Sequence, residues 1–84
     1  MSVVKVTIAY FAGARECAGT AEEELELAAP VSLHQLFSRV MSIHPKLAEI
    51  KQMLSPLVNG KWMPEETELQ DGDRVALLPP VGGG

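Results

Sequence analysis

Eighty-four residues with a formal net charge of −4 and a pI of about 5.0 make one domain, near the small end of what folds without disulfides or a metal. Hydrophobic residues are 46% of the chain and aromatic ones 5%, so an aliphatic core is expected. The single cysteine, Cys17, excludes an internal disulfide framework, and the lack of a basic patch to displace counterions from a phosphate backbone argues against nucleic acid as a partner.

Val3 to Phe11 is rich in β-branched residues and alternates, with Val4, Val6, Ile8 and Tyr10 on one face and Lys5 and Thr7 on the other, which predicts a strand. The opening Met-Ser-Val-Val-Lys-Val lacks a basic region followed by a long apolar run, and no apolar stretch approaches membrane-spanning length. With one cysteine, a soluble chain in the reducing cytoplasm is the expectation, and no membrane partner. Ala12 to Thr20, with two glycines, Arg15, Glu16 and Cys17, reads as a long loop. Glu22 to Ala28 alternates again, Leu25 and Leu27 against Glu24 and Glu26, so this strand has one side in water and lies away from the sheet centre.

The period then changes to that of a helix at Leu33, Leu36, Phe37, Val40 and Met41, opened by Ser32 and Gln35 as a capping box. His44-Pro45 ends it, because the residue before proline avoids the α region, and Pro45 opens a shorter helix with Leu47, Ile50 and Leu54 inward. Neither His34 nor His44 has a partner at ligand spacing, and no metal site is expected. Leu57 to Trp62 reads as a strand, an Asn59-Gly60 turn and a partner strand. Met63 to Glu68 is irregular. Leu69 to Asp73 is a turn, and Arg74 to Leu78 is a final strand, apolar enough to be buried on much of both faces. The first and last strands belong side by side at the centre. The expected class is α+β: a ubiquitin-like β-grasp, with a mixed sheet of four to five strands on one main helix plus a short second helix. The domain spans residues 1–78, and Pro79-Pro80-Val81-Gly82-Gly83-Gly84 forms an extended tail.

Acidic residues cluster at Glu22, Glu23, Glu24 and Glu26 and again from Glu65 to Asp73. They are read as a solvated face, with electrostatic steering toward a basic protein as the sharper alternative. Side-chain chemistry is sparse. Arg15 lies near Cys17, but no set of nucleophile, base and orienting group is apparent, and the terminal glycines open no helix that would hold a phosphate.

By elimination, the unusual functional group is the carboxylate at Gly84. A carboxylate is a poor electrophile until converted to an acyl-adenylate, which requires ATP and an activating enzyme. Glycine suits that use: it fits a narrow channel, takes any backbone bend and presents an unhindered carbonyl. At roughly 3.3 Å per extended residue, Pro79 to Gly84 projects about 20 Å, and the two prolines stiffen its base. The alternative is a frayed end without function.

Four signatures carry a family resemblance: Phe11-Ala12 with Arg15-Glu16 and Gly19; Val58-Asn59; Leu69-x-Asp71-Gly72-Asp73-x-Val75-Ala76; and the Pro79–Gly84 ending. Over essentially the whole chain the sequence resembles the MoaD/ThiS family, the sulfur-carrier branch of the ubiquitin-like proteins, and within it the small subunit of molybdopterin synthase. Two departures, Gly82 and the Leu77-Leu78 pair, fall where family members commonly carry another small residue and phenylalanines, and both bear on partner affinity.

The resemblance implies a non-catalytic, sulfur-donating subunit with no bound cofactor. An adenylating enzyme similar to ubiquitin-activating enzymes would activate Gly84 with Mg-ATP. A sulfur-donor protein would then convert it to a thiocarboxylate. The tail residues Pro79, Pro80, Val81, Gly82 and Gly83 would insert into the large catalytic subunit and deliver sulfur to a cyclic pyranopterin. Phe11, Trp62 and Leu78 match apolar interface positions of the family, and Arg15 is a candidate contact to either enzyme. Core packing is the alternative for the first three, and a solvated loop for Arg15. Other open readings are a carrier for thiamine or tRNA thiolation, a protein modifier joined to lysines through Gly84, and a passive β-grasp binding module. Carriers of the thiamine type are typically shorter, lacking a segment like Pro45–Leu54, which favours the first reading.

Overall fold

The computed structural model describes residues 2–79. Nine short elements follow one another: β1 (Val3–Tyr10), α1 (Ala12–Ala18), β2 (Glu22–Ala28), α2 (Leu33–Ile43), α3 (Pro45–Ala48), a 3-10 turn (Lys51–Met53), β3 (Ser55–Val58), β4 (Lys61–Trp62) and β5 (Arg74–Leu78). The strands form one mixed sheet in the order β2-β1-β5-β3-β4. The two most apolar strands, β1 and β5, lie parallel at its centre, with Ile8 opposite Val75 and Tyr10 opposite Leu77. The acidic β2 runs antiparallel to β1 along one edge, as its single solvated face required. This is the expected α+β β-grasp arrangement.

The alternation of β1 sends Val4, Val6, Ile8 and Tyr10 toward the helices, and all four are buried. Leu33, Leu36, Phe37, Val40 and Met41 return the apolar face of α2 onto them, joined by Val75 and Leu77 of β5. Each such side chain withdrawn from water contributes about 1.5–3 kcal/mol, so this aliphatic layer is the main stabilising element. The Ser32 hydroxyl accepts from the Gln35 N–H at 3.1 Å, while the Gln35 side chain accepts from the Ser32 N–H at 2.8 Å, completing the capping box. α2 stops before His44-Pro45, and Pro45 occupies the first turn of α3. Leu47 and Leu54 are buried and Ile50 packs against the core.

One expectation fails. Ala12–Ala18 is a helix, not a loop, capped by Gly19 in the left-handed region at φ 77. Ala14 and Ala18 are strong helix formers, and buried Ala14 gives the turn a core contact that offsets the cost of Gly13. β5 is also less enclosed than expected: Val75 and Leu77 are buried, whereas Ala76 and Leu78 on its other face are half-buried.

The two turn motifs are tied together. Asn59 and Gly60 both have positive φ, 51° and 83°, as a two-residue hairpin with primed geometry requires. The Asp73 carboxylate accepts from Asn59 Nδ2 at 2.9 Å and from the Gln70 N–H at 2.8 Å. Asn59 Oδ1 accepts from the Arg74 N–H at 3.0 Å, and Asp71 accepts from the Lys5 N–H at 2.8 Å. The Leu69–Asp73 signature thus joins β1, β5 and the β3–β4 hairpin.

Candidate functional site: an apolar sheet face at the root of the tail

Register determines which residues share the sheet face left uncovered by helices. Paired residues on neighbouring strands point to the same side. Trp62 pairs with Leu57, Leu57 with Ala76, Ala76 with Ala9, and Ser55 with Leu78. Because Val75 and Leu77 point into the core, this second set faces away from it. Phe11, extended at φ −123 and ψ 148, continues the register of β1 by one residue and falls beside Leu78, its N–H donating to the Leu77 carbonyl at 3.4 Å.

The structure therefore brings three of the sequence candidates onto one face. Trp62 is 66% exposed and Phe11 45%, while Leu78 is half-buried between them. Two strand spacings and one two-residue step separate Trp62 from Leu78, about 12 Å. Leu57 and Ala76, which sequence reasoning left out, fill the interval; the signal was available in the alternation of Leu57 against buried Val58. Apolar groups gathered on one solvent-facing side of a sheet have the character of a docking surface. Arg15 is exposed on α1, one turn beyond Phe11, and its N–H reaches the Phe11 carbonyl at 3.4 Å. Pro79 follows β5 and is half-buried. Pro80, Val81, Gly82, Gly83 and Gly84 lie outside the described residues.

Charge borders this face on the β2 side. Arg74 pairs with Glu22 at 2.5 Å, and Glu24 and Glu26 stand opposite Thr7 and Lys5. Among the described residues no group of three or more His, Cys, Asp or Glu is disposed to hold a metal ion, and no helix is long and apolar enough to cross a membrane.

On the helix side of the same end lies a cluster that sequence reasoning missed. One oxygen of Glu23 accepts from the Tyr10 hydroxyl at 2.5 Å and contacts His44 Nε2 at 2.6 Å, while the Tyr10 and His44 rings meet edge to face, centroids 5.6 Å apart. The Glu23 side chain is 24% exposed and that of His44 15%. Burial is the largest influence on the Glu23 carboxyl and pushes it up, but hydrogen bonds from Tyr10 and His44 and the His44 charge together hold it below its ordinary range. Burial, then the hydrogen bond to Glu23 and its charge, pushes the Tyr10 hydroxyl well above its ordinary range. The signal was the phase of β2: Leu25 and Leu27 face inward, so Glu23 must as well.

The chain is 35% identical over 83 residues to the molybdopterin synthase sulfur carrier subunit of Mycobacterium tuberculosis, covering 98% of this chain and 100% of that one. It is 32% identical to the subunit of the same name from Chlamydomonas reinhardtii, covering 96% and 100%. Among solved structures, a putative molybdopterin converting factor subunit 1 from Pyrococcus furiosus superposes with a TM-score of 0.87 at 35% identity, over 93% of this chain and 99% of that one. The small archaeal modifier protein 1 of Methanosarcina acetivorans gives a TM-score of 0.83 at 25% identity over 100% of both chains. A chain from the complex of subunits 1 and 2 of the molybdopterin-converting factor of Helicobacter pylori gives 0.69 at 27% identity, over 96% and 100%. The family model described as the ThiS family matches residues 8–84, from the middle of β1 through the terminal glycines. The chain belongs to the ThiS family.

Proposed function

We propose that this chain is the sulfur carrier subunit of a molybdopterin synthase, a donor whose reactive group is the carboxylate at Gly84. The observation that carries this reading is the full-length likeness to relatives of that name, which extends through the glycine tail. The open sheet face supports it physically. A tail threaded into another protein needs a docking surface at its root, and Phe11, Leu57, Trp62 and Leu78 supply apolar contact there.

In this reading an adenylating enzyme of the ubiquitin-activating type uses Mg-ATP to convert the Gly84 carboxylate to an acyl-adenylate. The charge that repelled nucleophiles is thereby removed and AMP becomes the leaving group. Sulfur from a donor protein takes the place of AMP and leaves a thiocarboxylate. Docked on a large catalytic subunit, the tail presents that sulfur to a cyclic pyranopterin precursor. The likeness to a chain of the Helicobacter pylori two-subunit complex supports such a partner. Catalytic groups belong to the large subunit in this reading, and the work is done in the cytoplasm. Copurification with a large subunit from the native source, and single-turnover thiolation of the pterin by the loaded chain, test it. A loaded chain that binds no large subunit and thiolates no pterin contradicts it.

A second reading is supported by the likeness to the small archaeal modifier protein 1. Here Gly84 is joined to lysines of target proteins. Isopeptide-linked conjugates in cells, without pterin thiolation, would favour it.

A further inference from the structure

The proposed transfer makes no use of Tyr10, Glu23 or His44, yet their position is specific. Tyr10 is the last residue of β1, its N–H donates to the Ala21 carbonyl at 2.8 Å, and it stands opposite Leu77 in the strand that leads to the tail. The next link is weak: the Phe11 N–H reaches the Leu77 carbonyl only at 3.4 Å. The chain then turns through Ala12 at φ 48, a left-handed conformation that crowds an alanine Cβ. A long hydrogen bond followed by a strained residue persists only where the surroundings over-determine it. Here the surroundings include the tip of the Tyr10 side chain, held by a Glu23 oxygen that His44 also holds from the joint between α2 and α3.

We propose that Tyr10, Glu23 and His44 form a positioning clamp for the docking face, fixing the end of β1 so that Phe11 and the Ala12 turn are presented beside Leu78. The inference rests on the docking role assigned to that face. The cluster ties the helical joint to the paired central and edge strands through one carboxylate oxygen. Loss of any donor frees the segment that begins at Phe11 while leaving the apolar layer of Val6, Ile8 and Val75 intact.

The test compares Tyr10→Phe, Glu23→Ala and Glu23→Gln in the full chain by amide hydrogen exchange and by affinity for the large subunit. Tyr10→Phe keeps the ring and removes the donated hydrogen bond. The expected result is faster exchange at the Phe11 and Ala14 amides by about tenfold, the scale of one lost charge-assisted bond, with Val6, Ile8 and Val75 unchanged. The same variants should bind the large subunit several-fold more weakly, and Glu23→Gln, which keeps an acceptor, should be milder than Glu23→Ala. A uniform rise in exchange reduces the cluster to a general stabiliser and overturns the proposal. So does unaltered exchange at Phe11, or wild-type affinity in every variant. If the wild-type chain itself fails to bind the large subunit, the functional reading falls and takes the docking role with it, an outcome distinct from failure of the clamp alone.

Discussion

Trp62 stands opposite Leu57 across the β3–β4 pair, on the sheet face from which Ala76 and Leu78 also project. A two-residue strand is a small platform for the sole tryptophan of the chain, and two-thirds of that side chain is in water. In the proposed docking role its contribution is to binding rather than to folding. Trp62→Ala is expected to weaken association with the large subunit by about 2 kcal/mol, roughly 30-fold, with a nearly unchanged melting temperature. Calorimetric titration checks this; an unaltered dissociation constant places Trp62 outside the interface.

The Tyr10–Glu23 pair makes stability depend on pH at both ends. Glu23 is held below its ordinary value of 4.5, so its contribution is fully present above that value and is lost as pH falls through the lower folded value. Tyr10 is raised above its ordinary 10.0, so its contribution is present below that value and is lost as pH rises beyond it. Denaturant melts across pH should show an acid limb below about 4.5 that flattens in Glu23→Gln, and an alkaline limb above about 10 that flattens in Tyr10→Phe. Parallel curves for wild type and variants would remove both groups from the account.

Asp73 accepts from Asn59 and from the Gln70 backbone, and Asn59 in turn holds the Arg74 N–H. Asp73→Ala leaves these donors to solvent and frees the hairpin from β5. A loss of about 1–3 kcal/mol in unfolding free energy is expected from two charge-assisted bonds at a partly exposed site. Equilibrium urea denaturation measures it, and a change within error would show that the signature is held by its backbone alone.

Most of the sheet was readable in the chain because period and burial agree. Val4, Val6, Ile8 and Tyr10 alternate in β1 and are buried, and Glu24 and Glu26 alternate in β2 and stand at the edge in water. The capping box at Ser32 and Gln35 and the stop at His44-Pro45 were legible for local reasons. α1 was not, since two glycines in nine residues outweigh alanine propensity unless the burial of Ala14 is known. The Glu23–His44 contact was hidden for a different reason. Its partners are 21 residues apart and meet only because β2 and the α2–α3 joint close over the same end of the core. The open sheet face lay between: Phe11, Trp62 and Leu78 could be chosen singly, but their convergence, and the place of Leu57 and Ala76 among them, depend on register.

Gly84 is the proposed sulfur-bearing residue, and intact mass spectrometry reads its chemical state. The chain is incubated with Mg-ATP, the adenylating enzyme and a sulfur-donor protein, alongside a variant lacking Gly84. The expected result is a mass gain of one sulfur in place of one oxygen, localised to the C-terminal residue and missing from the variant, which melts at the wild-type temperature. An unchanged mass for the full chain, with both enzymes shown to be active on another carrier, would contradict it.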